Sequence, residues 1–252
     1  MKFKDHFSDG SAGYSRYRPD YPDEMFEWLA SQAPARGDAW DSATGSGQAA
    51  AGLARRFGSV IATDASEKQI RNAEAHSGVR YLVSLSEQAP LRGASLDLIF
   101  VSQALHWFDL TAFYAEVERV ARPAALLAVC TYNVMEIDSA LDEIVGAFYG
   151  DVLSDFWPPE RRHVERGYRD LPFPFEEIEA PAFALWKDWD LRRLLGYVDT
   201  WSALRQYRLR TGNDPLPQFA RRVEECWGRS SLSRRVTWPL SLRVGRVGVD
   251  LG

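Results

Sequence analysis

Short apolar runs alternate with helix-like stretches through the first half of the chain. Apolar residues spaced three or four apart predict helices over 48–57, 66–75 and 109–121, and an earlier one within PDEMFEWLASQA. The apolar runs between them predict strands, in chain order DAWDSA, VIATD, VRYLVS, SLDLIFVS and LLAVCTY. Strands that alternate with helices are typical of an α/β fold with a parallel sheet.

The second half of the chain has a different pattern. Its predicted helices cover 139–149, 191–204 and 217–227. A strand is predicted over 182–189, and a long final strand, RRVTWPLSLRVGRVG, carries Pro239. Because prolines within sheets occur mainly in edge strands, we expect this last strand to be antiparallel and to lie at an edge. The seven predicted strands then form a doubly wound, mostly parallel sheet with a helical cap.

Composition and charge restrict the class of partner. Hydrophobic residues make up 46% of the chain, which suits a folded core, and 30 Lys and Arg against 35 Asp and Glu give a net charge of -5. Nucleic-acid binding usually depends on a basic excess, so we expect none. The start, MKFKDHFSDG, lacks the apolar core of a secretory signal, and no run is long enough to cross a membrane. We therefore expect a cytoplasmic protein with a small-molecule partner, and we leave the oligomeric state open.

The histidines and cysteines indicate no metal. Four scattered histidines and two cysteines show neither the H-E-x-x-H nor the C-x-x-C spacing. We assign no metal ligand.

A glycine turn follows the first predicted strand. DSATGSGQAA, over 41–50, fits the dinucleotide fingerprint through Gly45 and Gly47, and Asp64 ends the next strand 17 positions after Gly47. A strand-end acid of this kind can bind ribose hydroxyls. Asp41, however, would repel a pyrophosphate at the same turn and would tolerate the cationic end of S-adenosylmethionine. At this point a nicotinamide dinucleotide and S-adenosylmethionine both remain possible ligands.

Several motifs in order resemble one enzyme family. DSATGSGQ, VIATDASEKQI, SEQAPL and LDLIFVSQALHWFD resemble, in sequence, the motifs of class I S-adenosylmethionine-dependent methyltransferases. The likeness is to the small-molecule branch related to trans-aconitate methyltransferases. FSDGSAGYSRYRPDYP, TWSALRQY and VTWPLSLRVGR extend it over nearly the whole chain. Two positions depart from the family pattern, because Ala43 replaces the first glycine of the turn and Ala124-Ala125 replace a later glycine pair.

The resemblance implies a Rossmann-like methyltransferase fold that binds S-adenosylmethionine. It also implies one methyltransferase domain over 1–252. Its expected parts are an N-terminal arm and helix over 1–33, a cofactor-binding core over 34–132, a helical cap with one strand over 133–232, and a sheet strand over 233–248. The cofactor-binding residues that it implies are Asp41, Ala43, Gly45, Gly47, Asp64, Ala65, Glu87, Gln88, Ser102, Gln103, Tyr14 and Arg18.

Each of these residues also has a structural interpretation. The glycines can serve as turn punctuation, Asp64 can cap the helix that begins near Ser66, and the loop at Glu87 can be a plain surface turn. Asp41 can accept hydrogen bonds from the amides of its own turn.

The trio His106-Trp107-Phe108 is the most suggestive of chemistry. An imidazole beside a methyl donor can accept a proton from a hydroxyl or an amine, so His106 is the candidate catalytic base. Alternatively, it orients the cofactor or its loop while Trp107 forms an apolar wall.

Two aromatic segments supply candidate substrate contacts. The N-terminal arm, with Phe7, Tyr14, Arg18 and Tyr21, can close over the site and exclude water, or its aromatic residues can simply pack on the sheet. The segment DFWPPERRHVE, with Trp157 and Arg161, suits a carboxylated or aromatic substrate, or it is a solvated run of charges.

These observations favour methyl transfer from S-adenosylmethionine to a small-molecule acceptor. We expect in-line attack by an oxygen, either a carboxylate or a hydroxyl. The alternatives are a nicotinamide-dependent oxidoreductase, for which no Tyr-x-x-x-Lys pair is present, and a non-catalytic cofactor-binding protein.

Overall fold

The computed structural model describes residues 19–248. The helices are α1 (Asp23–Gln32), α2 (Gln48–Ala54), α3 (Glu67–Arg71), α4 (Leu110–Val120), α5 (Ser139–Ala147), α6 (Arg161–Glu165), α7 (Leu191–Asp199), α8 (Ser202–Thr211) and α9 (Leu216–Trp227). The strands are β1 (Asp38–Ser42), β2 (Ser59–Asp64), β3 (Val79–Val83), β4 (Leu96–Ser102), β5 (Ala121–Tyr132), β6 (Glu176–Ile178), β7 (Ala184–Trp189) and β8 (Arg234–Arg246). Short helical turns cover Leu105–Trp107, Phe148–Val152 and Ser154–Phe156.

The strands form a mostly parallel sheet in the order β3-β2-β1-β4-β5-β8-β6. The first five of these strands are parallel, and β8 runs antiparallel to β5. β8 is long enough to hold two short strands on its far side: β6 pairs with its last residues and β7 with its first ones. The prediction of a mostly parallel sheet with an antiparallel strand on its C-terminal side is confirmed. β8 itself is not the outermost strand, because β6 and β7 pair with its far side.

The strand register brings the polar strand ends to one edge. Ser42 at the end of β1 lies between Thr63 of β2 and Val101 of β4, and Ser102 pairs with Cys130 of β5. Because these strands are parallel, the loops that follow them all leave from the same side. Ligands of open α/β sheets bind at this side.

Three apolar clusters hold the molecule together. Leu98 and Phe100 of β4 face α1 and α2, while Ile99 and Val101 face α4 on the other side of the sheet. The third cluster lies between the cap helices and the first half of β8, and Trp238 is fully buried there. The alternation along β4 explains why that strand is apolar at every position from 98 to 101, since both faces are covered.

Several predicted elements differ in detail from the observed ones. The helix expected over 191–204 is two helices, because Trp201 takes an extended conformation and packs into the aromatic cap. The helices expected over 48–57 and 66–75 end at Ala54 and Arg71. The three-residue strand β6 is absent from the prediction, since it is short and owes its pairing to β8.

Three candidate residues, Phe7, Tyr14 and Arg18, lie outside the described residues. In the part of the chain that the structure describes, none of the helices combines the length and the apolar character needed to cross a membrane.

Candidate active site

Asp41 is a buried carboxyl at the end of β1. Its side chain accepts a hydrogen bond from the Thr44 hydroxyl at 2.5 Å, and the residue is only 1% exposed. Burial raises its pKa to about 7, and the charge of Asp64 adds to the rise, while bonds from Thr44 and the Ala50 amide oppose it. A cation near Asp41 would favour the ionised form. This end of the site therefore suits a positively charged ligand group.

The turn after Asp41 holds three residues in the left-handed region. Ala43, Gly45 and Gly47 have φ angles of 55°, 59° and 88°. A Cβ at Gly47 would overlap the Tyr81 hydroxyl, whereas a Cβ at Gly45 would have no heavy atom of the described residues within 4 Å. Gly47 is thus required by both backbone and space, and Gly45 borders open space that a ligand can enter.

Asp64 connects the turn to the start of α3. Its Oδ2 accepts a hydrogen bond from the Gly45 amide at 2.9 Å, and its Oδ1 accepts one from the Ser66 amide at 2.8 Å. The helix cap itself is Ser66, whose hydroxyl accepts from the Gln69 amide. Ala65, between the two, is half-buried. These contacts orient the Asp64 carboxylate at the edge of the sheet where the turn lies.

The loop after β3 is held from two directions. Glu87 Oε1 accepts a hydrogen bond from the Asp109 amide at 3.0 Å, which ties the loop to the start of α4, and Gln88 is exposed. The buried Ser86 hydroxyl accepts a hydrogen bond from Ser42 Oγ at 2.8 Å. The Ser42–Ser86 pair was not among the sequence candidates, because isolated serines carry no motif signal.

The end of β4 is bound to β5 and to the N-terminal segment. Gln103 donates from Nε2 to the Tyr132 carbonyl at 3.0 Å and accepts at Oε1 from the Thr131 hydroxyl at 3.0 Å. Both ends of this amide are therefore engaged within the protein. Ser102 Oγ hydrogen-bonds the Tyr21 hydroxyl, which brings Tyr21 to the strand-end edge of the sheet.

His106 lies beside Tyr168. Its Nδ1 is 2.9 Å from the Tyr168 hydroxyl, and its ring centroid is 4.6 Å from that of Trp107. Burial is the main cause that lowers the pKa of His106 to about 3, and the charges of Arg161 and His163 contribute to this shift. The imidazole is neutral at neutral pH, and its protonated form is strongly disfavoured.

Tyr168 is held against His106 by an unusual backbone conformation. Its φ is 61°, and its side chain is fully buried. The Arg243 guanidinium donates to the Tyr168 carbonyl at 2.6 Å and pairs with Glu177. Left-handed conformation costs a bulky residue about 1–2 kcal/mol, so surrounding contacts must hold Tyr168 in place.

Aromatic side chains of the cap form a cluster around Arg161. The Tyr149 and Trp157 ring centroids are 4.6 Å apart, and Trp157 is 5.7 Å from Trp201. The Arg161 guanidinium lies 5.5 Å from the Tyr149 ring centroid and 5.1 Å from that of Trp157. The predicted substrate residues Trp157 and Arg161 thus lie together, and Tyr149 joins them.

Comparisons with known proteins identify the family. A family described as a methyltransferase domain matches residues 40–129. The solved structure of a protein from Anaeromyxobacter dehalogenans that is named as a type II methyltransferase is 48% identical, with a TM-score of 0.87, over 91% of this chain and 97% of that one. A protein of Dictyostelium discoideum named as a methyltransferase is 35% identical over 223 residues, 86% of this chain and 84% of its own. The chain belongs to the class I S-adenosylmethionine-dependent methyltransferases.

A more distant relative agrees with this assignment. An uncharacterised methyltransferase of Mycobacterium tuberculosis is 29% identical over 176 residues, 69% of this chain and 67% of its own length. These relatives do not test the narrower resemblance to trans-aconitate methyltransferases, which stays a prediction. They do decide between the two cofactors that the glycine turn left open, in favour of S-adenosylmethionine.

The described residues of this methyltransferase fit that cofactor. Among residues 19–248, no cationic side chain contributes to the shifted pKa of Asp41, so a cationic aminoacyl group would supply the missing opposite charge. Open space at Gly45 and the oriented carboxylate of Asp64 lie close to Asp41. No group of three or more His, Cys, Asp or Glu within the described ranges is arranged to hold a metal ion.

Several residues around His106 and Arg161 were missed by the sequence analysis. Tyr149, Tyr168 and Asn133 were not predicted. Aromatic residues are frequent throughout the cap segment, so their number gave no way to select these positions. Arg161 is half-buried and its neighbour Arg162 is exposed. The sequence does not distinguish them, because the difference depends on which way the short helix α6 faces.

Proposed function

We propose that this methyltransferase transfers a methyl group to an oxygen of a small-molecule acceptor by in-line displacement. The observation that carries the proposal is the state of His106, which lies where the aromatic cap meets the strand ends and has a pKa of about 3. So weak a base is a poor partner for an amine or an unactivated hydroxyl. An acceptor oxygen that is already ionised needs no base.

We assign the binding of S-adenosylmethionine to the ends of β1, β2 and β4. Bound there, the cofactor supplies an activated methyl group. Gly45 and Gly47 let the backbone approach it, Asp64 accepts hydrogen bonds from ribose hydroxyls, and Asp41 faces the cationic end. Ala43, Ala65, Glu87, Gln88, Ser102 and Gln103 border the same site, and residues 34–132 form its core.

We assign to His106 the role of orienting the acceptor. Its Nδ1 hydrogen-bonds the hydroxyl of fully buried Tyr168 at 2.9 Å, so the imidazole ring is held in one orientation. The second ring nitrogen, Nε2, then remains to contact the acceptor.

The cap and the residues around Tyr21 exclude water from the reacting groups. The aromatic walls formed by Tyr149, Trp157 and Trp201 offer no ionisable competitor at neutral pH, since burial raises the pKa of Tyr149 far above its ordinary value. A dry site strengthens the interactions that align the acceptor oxygen with the methyl group.

The first test is calorimetric titration of the purified protein with S-adenosylmethionine, S-adenosylhomocysteine and NAD. We expect the two sulfur compounds to bind and NAD not to. A panel of carboxylates, phenols and amines is then incubated with methyl-labelled cofactor, and products are identified by mass spectrometry. Labelled O-methyl products support the proposal. N-methyl products, or tight cofactor binding without turnover of any acceptor, would overturn it.

A further inference from the structure

Arg161 is a half-buried cation of the cap, and its contacts in the described chain are with uncharged groups. Most arginines with described contacts lie in ion pairs, such as Arg208 with Asp199 and Asp214. Arg161 instead contacts neutral acceptors: its Nε donates to the Tyr149 hydroxyl at 2.8 Å and its Nη2 donates to Asn133 Oδ1 at 3.2 Å. No carboxylate among residues 19–248 lies within ion-pair distance of it.

Neighbouring groups fix the guanidinium in place. The Tyr149 hydroxyl donates to exposed Glu165 at 2.6 Å, which leaves its lone pairs for Arg161 Nε. Tyr149 and Trp157 lie beside the guanidinium plane at cation–π distances. A guanidinium held in this way has lost much of its side-chain freedom before any ligand arrives, so binding a planar anion costs little further ordering.

The charge of Arg161 acts on the reacting end of the site. Its positive charge lowers the pKa of His106 and opposes the raised pKa values of Tyr149 and Tyr168. Its contacts with Asn133, which directly follows β5, and with the Trp157 ring place Arg161 between the strand ends and the aromatic cap. The other strong cation near Tyr168, Arg243, is already paired with Glu177.

We propose that Arg161 binds a carboxylate of the methyl acceptor, and that the acceptor is a small monoanion with an apolar or aromatic body that lies against Tyr149, Trp157 and Trp201. One planar cation without a carboxylate partner among the described residues matches one carboxylate. The aromatic rings bury the body of the acceptor and exclude water from the ion pair. This inference rests on the proposed function, because it assigns a substrate class to the same site.

Matched pairs of probes test it. Benzoate, phenylacetate and cinnamate are titrated against their neutral amides, with and without S-adenosylhomocysteine, and binding is followed by calorimetry and tryptophan fluorescence. We expect at least one acid to bind about 10- to 100-fold more tightly than its amide, as a charge-assisted bidentate pair would provide. Raising the salt concentration should weaken binding of the acid and leave the amide unchanged.

Arg161→Gln removes the charge and should reduce that preference to less than about threefold. Arg161→Lys keeps the charge without the planar fork and should be intermediate. The matched control is Arg162→Gln, which makes the same charge change at the exposed neighbouring position and should keep the wild-type preference. Thermal melting shows whether each variant is folded, and the wild-type comparison of acid with amide needs no variant at all.

Several results would overturn the inference. They are equal binding of acids and amides, loss of preference in Arg162→Gln, full preference in folded Arg161→Gln, or no binding of any acid at about 10 mM. Failure of the proposed function is distinguishable, because it shows as absent S-adenosylmethionine binding or absent O-methyl product while the probe titrations are read independently. One further outcome is O-methylation of a neutral acceptor by Arg161→Gln at the wild-type rate. That result would support the proposed function and contradict this inference.

Discussion

The cofactor end and the proposed acceptor end of the site each bury a group whose pKa is far from its ordinary value, and the two groups are of opposite kind. Asp41 is an acid whose pKa rises to about 7, and His106 is a base whose pKa falls to about 3. In both cases burial is the largest cause and a nearby like charge adds to it, namely Asp64 for Asp41 and Arg161 for His106. Both groups therefore favour the neutral form. The charge that each end presents to a ligand is then that of the neighbouring residue, Asp64 or Arg161.

The two ends also differ in how they are held. Asp64 receives the amides of Gly45 and Ser66, so its position follows from the local backbone. His106 and Arg161 are held by side chains that are remote in sequence, Tyr168 and Asn133. The cofactor end is therefore built by loops at the strand ends. The proposed acceptor end is built by contacts between side chains that are remote in sequence.

The largest expected effect is on the pH dependence of stability, which has opposite signs at the two ends. The folded pKa of His106 lies below the ordinary value of 6.5, so its contribution to stability is full above about 6.5 and is lost as pH falls through 3. The folded pKa of Asp41 lies above 3.8, so its contribution is full below about 3.8 and is lost as pH rises through 7. Each is at most about 4–5 kcal/mol.

Urea unfolding at pH 4, 5.5, 7 and 8 measures these slopes in His106→Asn and Asp41→Asn. The free energy of unfolding of the wild type relative to His106→Asn should rise with pH. Relative to Asp41→Asn it should fall. Each variant serves as the control for the other, and parallel pH profiles for the wild type and both variants would contradict the burial of these two groups.

Asp64→Ala should weaken S-adenosylmethionine binding by about 100-fold, because a ribose would lose charge-assisted hydrogen bonds. Calorimetric titration measures the loss, and Asp64→Asn, which keeps one acceptor oxygen, should be intermediate. Arg161→Gln is the control from the other end and should change cofactor affinity by less than about threefold. Unchanged cofactor affinity in folded Asp64→Ala would mean that this carboxylate serves only the amides of Gly45 and Ser66.

Gly47→Ala should lower the free energy of unfolding by about 2 kcal/mol. The new Cβ combines an unfavourable left-handed backbone with displacement of Tyr81, whose hydroxyl donates to the Glu74 carbonyl at 3.0 Å. Gly212→Ala is the control, since Gly212 is also left-handed with φ of 71° but has open space around it in the described chain. Urea unfolding of both variants separates the steric part from the backbone part, and equal losses would exclude a steric role for Tyr81.

Ala124→Gly has the smallest expected effect, a gain of at most about 1 kcal/mol in the free energy of unfolding. Ala124 has a φ of 62°, which glycine adopts at lower cost. The neighbouring Ala125 is fully buried in β5 without a positive φ, so Ala125→Gly should instead lose about 1 kcal/mol. Thermal melting compares the two, and a loss of stability in Ala124→Gly would show that the Ala124 side chain stabilises the start of β5.

Much of the cofactor end could be predicted from the sequence because its groups follow one another along the chain. The turn over 41–47, the acid that ends β2 and the polar end of β4 all come directly after apolar strands, and parallel strands bring such ends to one edge. The sequence could not show that Asp41 would be buried with a pKa of about 7. Nor could it show that both ends of the Gln103 amide would hydrogen-bond to β5. Those outcomes depend on what packs around each group.

By itself, the sequence determined the alternation of strands and helices, the edge at which the site lies and the cofactor class, because each of these follows from local periodicity or from motifs in order. Only the tertiary structure decided that a one-turn helix would direct Arg161 inwards and Arg162 outwards, and that a left-handed Tyr168 would meet His106. The physical reason is the distance along the chain over which each kind of interaction acts. Hydrophobic periodicity acts over a few residues, whereas the acceptor end depends on the packing of aromatic side chains from Tyr21 to Trp201, whose pairing no local pattern encodes.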